Sequence, residues 1–259
     1  MDNHQHVVTT LKRESLILTE DKLPVTEAEL VRGLDMPLEL GILIDTSGSE
    51  RESTSLPQIV SEAKAFASDF ANGESDRVFF MTFAKKTQAT GWLKREQIGS
   101  VSLDLKLNGG TSLYDSLAIA CRERLHSRDD SHATRRILVI ISDGDDSQSE
   151  MTRDQAVSEA ILSGAVIFAM DTRSFLGKGG KGDRILEYMA EITGGQFFSG
   201  FTRGEVRQVF QRMKLIGDGM YYVRFVPPPS NKRVHEVEVR PAAGEKLQLS
   251  YPKKYLWVQ

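Results

Sequence analysis

A single cysteine, Cys121, stands among 259 residues, so no intramolecular disulfide staples this chain. It lies in Ser112-Leu-Tyr-Asp-Ser-Leu-Ala-Ile-Ala-Cys121, whose apolar residues recur at helical spacing, and the expectation is a core thiol rather than a reactive one. No apolar run approaches the roughly 20 residues needed to cross a bilayer as a helix. Charge of neither sign dominates: 33 basic against 36 acidic side chains give a net charge of -3, which leaves no basic footprint for nucleic acid. The first ten residues, MDNHQHVVTT, lack the charged-then-apolar pattern of a signal peptide. A mature exported protein and a cytosolic one both remain open on that ground. His4, His6, His126, His132 and His235 are scattered without the spacing of a zinc site. There is no GxSxG, and Ser47 has no sequence-evident histidine partner for nucleophilic work. Gly177-Lys-Gly-Gly-Lys-Gly-Asp183 departs from GxxxxGK[ST] because no Ser or Thr follows Lys181, so it reads as a surface loop. Internal repeats and low-complexity tracts are lacking too.

What is present is an alternation of strand and helix signals through the middle of the chain. Leu38 to Asp45 and Arg136 to Ser142 are short apolar runs stopped by turn residues, as buried central strands of a parallel sheet are. Leu56, Ile59, Val60, Ala63, Phe66, Ala67 and Phe70 recur at three and four residues and predict a helix, with Asn72-Gly73 as its stop. Val78 to Phe83 and Thr87 to Leu93 are joined by Ala84-Lys85-Lys86, too short for a crossover, which makes this pair antiparallel and puts the second strand at an edge. Helices are further predicted over Leu113 to Leu125, Thr152 to Leu162, Ile185 to Thr193 and Arg203 to Ile216. Strands are predicted over Ala165 to Met170 and Gln196 to Ser199. The expected architecture is α/β and doubly wound, with a mostly parallel sheet and one antiparallel edge strand, whose ligands bind at the carboxyl ends of the strands.

The ends read differently. Ser15 to Thr19 and Val25 to Val31 near the start, and Met220 to Val226, Val234 to Arg240 and Lys246 to Val258 near the end, are strand-like and divided by Pro- and Gly-rich turns. Two or three strands make a weak unit alone. Residues 1–36 and 218–259 are therefore expected to pair into one small β-sandwich, from which an α/β domain spanning residues 37–217 projects. Tyr251, Tyr255 and Trp257 are expected in its core.

The strongest chemical constellation is Asp45-Thr-Ser47-Gly-Ser49. A carboxylate at the end of a central strand is followed by two hydroxyls at alternate positions, a set of hard oxygen ligands suited to Mg²⁺. Gly48 is expected to let the chain bend between the serines. Asp143 ends the other apolar strand, and a carboxylate there faces the same crevice. Thr111, after Gly109-Gly110, supplies a hydroxyl from a third loop. Asp115 reads as a charge favouring the first turn of its helix. Asp145 and Asp146 read as loop residues or as a negative rim, and Asp171 as a cap.

DTSGS, GGTSLYD and VIISDGDD resemble the metal-ion-dependent adhesion site (MIDAS) of von Willebrand factor A domains, over roughly Leu38 to Gly217. The resemblance implies that Ser47, Ser49 and Thr111 bind the ion directly and that Asp45 and Asp143 bind mainly through water. It implies Mg²⁺, with Mn²⁺ or Ca²⁺ as alternatives, and a sixth ligand supplied by an Asp or Glu of a protein partner. More loosely, Leu16 to Lys22, Met36-Pro37, Tyr221 to Pro227 and Tyr251 to Tyr255 resemble the flanks of a bacterial exported subfamily, which implies a cell-envelope or secreted address. The leading expectation is a non-enzymatic protein-binding module. The alternatives are an assembly subunit partnering an ATPase and a Mg²⁺-dependent hydrolase, for which no base is evident beside the metal. Nothing in the sequence fixes the oligomeric state.

Overall fold

The computed structural model describes residues 1, 7–52, 56–107, 109–125, 133–176, 181–227 and 230–256. Four of the five histidines (His4, His6, His126 and His132), Gly177 to Gly180 and Trp257 lie outside them.

The chain enters the main sheet at β4 (Leu38–Asp45), every residue of which is buried. It continues through β5 (Arg77–Phe83), β6 (Thr87–Ala89), β7 (Arg135–Ser142), β8 (Val166–Asp171) and β9 (Gln196–Phe198). The strand order is β6-β5-β4-β7-β8-β9. All neighbours are parallel except β5 and β6, where Met81 faces Ala89 and Phe83 faces Thr87 across the three-residue turn. The edge strand is shorter than predicted: beyond Ala89 the chain holds to β5 through the Thr90 N–H, which donates to the Phe80 carbonyl at 2.9 Å, and through a bridge between Val78 and Leu93. From β4 the chain winds outward through β5, and from β7 it winds the opposite way. The crevice therefore opens at the carboxyl ends of β4 and β7.

Helices cover both faces because each strand of the pair buries alternate residues on opposite sides. Leu38, Leu40, Ile42 and Ile44 of β4 meet α1 (Leu56–Phe70) and α6 (Val206–Asp218) through Ile59, Phe66, Val209 and Phe210. On the other face Leu43, Phe79, Leu138 and Ile140 pack with α3 (Leu113–Ile119), α4 (Arg153–Ser163) and α5 (Lys181–Ile192). A short helix, α2 (Arg95–Ile98), adds Ile98 to the first core. The helix predicted to run to Leu125 changes to a π-helical turn over Ala120–Leu125 that keeps Cys121 and Leu125 wholly buried. Burial pushes the Cys121 thiol up to about 12, as expected of an inert core thiol. Thr152 caps α4: its hydroxyl accepts from the Gln155 N–H at 3.3 Å, and the Gln155 amide oxygen accepts from the Thr152 N–H at 2.8 Å.

The terminal segments make two small antiparallel sheets. β1 (Leu16–Glu20), β2 (Leu23–Pro24), β11 (Val234–Pro241) and β12 (Lys254–Leu256) form one in the order β12-β11-β1-β2. β3 (Ala28–Arg32) and β10 (Tyr221–Phe225) form the other. The β1–β2 hairpin closes over two residues, Asp21 and Lys22, both at positive φ (47° and 71°), the geometry that matches strand twist. Residues of both sheets, among them Leu16, Leu18, Val237 and Val239 against Leu30 and Val223, line a cavity of about 700 Å³ beside Val166 and Gly194 of the α/β layer. The strand predicted over Lys246 to Val258 shrinks to Lys254–Leu256. Its first half instead lies along that cavity and bridges Thr193 through Pro252, where the missing N–H prevents a continuous ladder.

Candidate metal centre

Asp45 is the last residue of β4 and is 1% exposed. One carboxylate oxygen accepts from the Ser47 N–H at 2.8 Å, and the other from the Ser142 hydroxyl, at the end of β7, at 2.7 Å. Those bonds fix the carboxylate between the two strand ends. The chain then turns through Gly48–Glu52. Ser47 is buried, Ser49 is exposed, and their hydroxyls lie 2.9 Å apart. Gly48 is not in the left-handed region; a Cβ there would stand 3.1 Å from the Gly109 carbonyl oxygen, a tight approach that glycine relieves. The Gly48 N–H donates to that carbonyl at 3.1 Å, so the tight point is an approach of two loops rather than a bend between serines.

That contact brings Thr111, 4% exposed, to the same crevice. The Thr111 backbone is locked to the loop after β7: its N–H donates to the Ser147 hydroxyl at 3.1 Å, and its carbonyl accepts from Ser147 at 2.9 Å. Asp143 is 3% exposed and accepts from the Asp145 N–H at 3.0 Å. Asp45, Ser47, Thr111 and Asp143 are thus buried around one crevice, and Ser49 stands at its mouth.

Asp115 and Asp146 have more specific duties than the sequence indicates. The Asp115 carboxylate accepts from the Glu150 and Met151 N–H groups at 3.0 and 2.9 Å. Asp146 accepts from the Tyr114 N–H at 3.0 Å and from the Ser149 hydroxyl at 2.6 Å. The start of α3 and the loop after β7 therefore hold each other reciprocally. Asp171 accepts from the Arg173 N–H at 2.8 Å and the Ser174 hydroxyl at 3.1 Å.

Sequence reasoning missed Glu50. It is 1% exposed, and an oxygen of its carboxylate comes within 4.8 Å of oxygens of both Asp45 and Asp143. One oxygen accepts from the Thr172 hydroxyl at 2.6 Å; the other is buried without a partner. Desolvation pushes Glu50 up to about 8, with Asp45 adding repulsion. Asp45, also chiefly through desolvation, rises to about 6. The only sequence signal was adjacency to DTSGS, and nothing in a polar turn says which side chains fold back inward. Three buried carboxylates with hydroxyls alongside, one carboxylate oxygen unsatisfied, fit a hard divalent cation.

Arg173 was likewise missed. Its guanidinium donates to the Asp143 carbonyl and to Asp145 at 3.2 Å, and lies 3.8 Å from Asp183. It therefore ties the loop after β7 to the start of α5. That start corrects the last three residues of the surface loop read over 177–183, since Lys181 already begins α5; residues 177–180 lie outside the described residues. A Cβ on Gly144, at φ +75°, would sit 2.4 Å from the Gly182 carbonyl oxygen. Gly144→Ala is accordingly expected to destabilise the protein by about 1–3 kcal/mol, through both the left-handed backbone and a clash with main chain that cannot rotate away. An unchanged thermal midpoint would contradict that packing.

Residues 40–146 match the model of the von Willebrand factor type A domain. No curated protein sequence matches the chain. Among solved structures, proximal thread matrix protein 1 from the mussel byssus, with its MIDAS motif occupied by zinc, superposes with a TM-score of 0.57 at 16% identity, over 76% of this chain and 49% of that one. A von Willebrand factor type A protein from Catenulispora acidiphila gives 0.52 at 17% identity, over 80% and 52%. The PilB minor pilin from Streptococcus sanguinis gives 0.54 at 13% identity, over 71% and 62%. The chain spans about half the length of the mussel and Catenulispora proteins. At such identities the likeness is one of fold. The strand order, the crevice at its switch point and the matched segment agree, and the chain carries an α/β fold of the von Willebrand factor type A kind.

Proposed function

We propose that this chain is a metal-dependent protein-binding module that captures an Asp or Glu of a partner at the crevice between β4 and β7. The observation that carries the reading is the convergence of buried Asp45, Asp143 and Glu50 on one point with the Ser47 and Ser49 hydroxyls beside it. Ser47, Ser49 and Thr111 would hold Mg²⁺ directly, and Asp45 and Asp143 would hold it through water. When bound, the ion supplies an electrophilic position for one carboxylate oxygen of the partner. The chain's own groups do the rest. Ser142 and the Ser47 N–H orient Asp45, and the Asp145 N–H orients Asp143. Arg173 holds the rim, leaving exposed Ser49 at the opening. Capture rather than hydrolysis is the proposed outcome: Ser47, Ser49 and Thr111 bring no charge to the ion, and Asp45, Asp143 and Glu50 would balance it without touching it, which would leave it electrophilic towards a partner's carboxylate. A cell-envelope or secreted setting belongs to the same proposal. It is supported by the exported-subfamily likeness of the flanks and by the mussel byssus and pilin neighbours.

The test is capture from a cell-surface extract on the immobilised chain with Mg²⁺ or with EDTA, in the presence and absence of a short aspartyl peptide. The expected partner is retained with Mg²⁺ and released by EDTA and by the peptide. A partner retained equally in EDTA would overturn metal-mediated capture.

A further inference from the structure

We infer that the chain has a second metal site, in the terminal sheet, formed by Glu20, Asp21 and His235 and suited to Zn²⁺. It is independent of the crevice at β4 and β7 and does not rest on the function proposed there. Glu20 and Asp21 lie near one end of the sequence and His235 near the other. Glu20 closes β1, Asp21 begins the two-residue turn, and His235 lies on β11, which pairs with β1. Glu20 is 0% and His235 2% exposed. His235 Nδ1 lies 2.9 Å from Glu20 Oε1 and 3.2 Å from Asp21 Oδ2. Ligands at about 2.0–2.1 Å from a tetrahedral zinc stand about 3.3 Å from one another, so three ligand atoms are already near their places.

The hydrogen bonds leave this cluster unfinished. His235 Nε2 faces the Lys232 carbonyl at 3.2 Å, and a carbonyl only accepts, so Nε2 carries the proton. With Nε2 engaged by that carbonyl, Nδ1 points at two carboxylate oxygens, and a cation seated among the three atoms would satisfy them all. Neither Nδ1 contact has hydrogen-bond geometry, and Glu20 Oε2 is buried with no partner. The Tyr255 hydroxyl donates to Glu20 Oε1, and the Tyr255 ring stacks on His235 at 5.0 Å, so the supporting contacts hold ligands in place. An Nε2–H on a carbonyl opposite a coordinating Nδ1 is the usual outer contact of a metal-bound histidine. On the solvent side the Lys232 ammonium lies 3.0 Å from Asp21 Oδ2 and is 61% exposed. One lysine against two carboxylates leaves a negative charge over, and its flexible stem can swing away to admit an ion and a water as fourth ligand. The ion would join the two ends of the chain, so it stabilises the fold by binding only the folded form.

The test uses the full chain with Asp45→Ala, so that the crevice site does not compete, stripped with chelator and titrated with Zn²⁺ by calorimetry. One equivalent is expected, with a raised thermal midpoint. The Co²⁺ form is expected to show the intense visible bands of tetrahedral nitrogen and oxygen ligation. Adding His235→Gln should abolish binding. Adding Asp21→Asn should weaken it tenfold or more with the fold intact, because Asn tolerates the left-handed turn. If His235→Gln fails to fold, Asp21→Asn and the Co²⁺ spectrum decide. Absence of Zn²⁺ binding in the Asp45→Ala chain overturns the site, and so does binding that Asp21→Asn leaves unchanged. Histidine ¹⁵N signals showing a buried imidazolium that zinc does not perturb would overturn it in favour of a proton.

Discussion

Glu50→Gln is expected to make the metal-free protein more stable at pH 8 while weakening Mg²⁺ binding. The wild-type carboxyl rises from an ordinary value of 4.5 to about 8 on folding, mainly because burial disfavours its charge. A group whose folded value is the higher one binds more protons in the folded state between those two values. Its stabilising contribution is complete below about pH 4.5 and is lost as the pH rises towards 8. Asp45 acts in the same sense between 3.8 and about 6. Metal-free wild type should therefore melt at a lower temperature at pH 8 than at pH 5.5. The glutamine keeps an oxygen to accept from Thr172 and removes the charge, so most of this slope should vanish. A gain of about 2–3 kcal/mol at pH 8 corresponds to a midpoint higher by about 5–10 °C for a chain of this size. Mg²⁺ should erase the difference from the other side, stabilising wild type most at high pH, where the site carries most negative charge. Parallel melting curves for the two proteins across this range would show that Glu50 does not carry the strain.

The second large effect concerns Asp45 itself. Asp45→Ala is expected to abolish Mg²⁺ and Mn²⁺ binding measured by calorimetry and to leave the sheet folded. The side chain contributes nothing to the apolar packing of β4, which rests on Leu38, Leu40, Ile42 and Ile44 on one face and Leu43 on the other. Its removal leaves the Ser142 hydroxyl and the Ser47 N–H without their acceptor, worth about 1–3 kcal/mol in a buried site. Loss of a buried, partly repelled carboxylate offsets part of that. The circular dichroism spectrum should therefore be unchanged while the binding heat disappears. Unaltered metal affinity would sink the assignment of this crevice.

Much of the α/β layer was legible because its signals are local. A fully apolar run such as Leu38 to Asp45 suits only a strand buried on both faces, and the spacing from Leu56 to Phe70 suits only one helix face. The link Ala84-Lys85-Lys86 was too short for any but antiparallel pairing. Where local pattern failed, a distant partner decided. The tail from Lys246 was apolar enough for a long strand, but the cavity and Pro252 took its first half.

The metal-site motif with which the candidate chemistry began was a statement about strand ends: Asp45, Ser47, Ser49, Thr111 and Asp143 follow from where β4, α3 and β7 begin or stop. Sequence by itself set those residues at the ends of elements and set the doubly wound class around them, since both rest on periodicity and turn chemistry within a few residues; the strand order came from the tertiary structure. Only the tertiary structure decided that Glu50 folds inward beside Asp45, that Arg173 ties the rim to α5, and that His235 meets Glu20 and Asp21 from the far end of the chain. These are encounters between elements, and no spacing along the chain encodes them. They arise when packing carries charged side chains out of water and obliges each to find a partner.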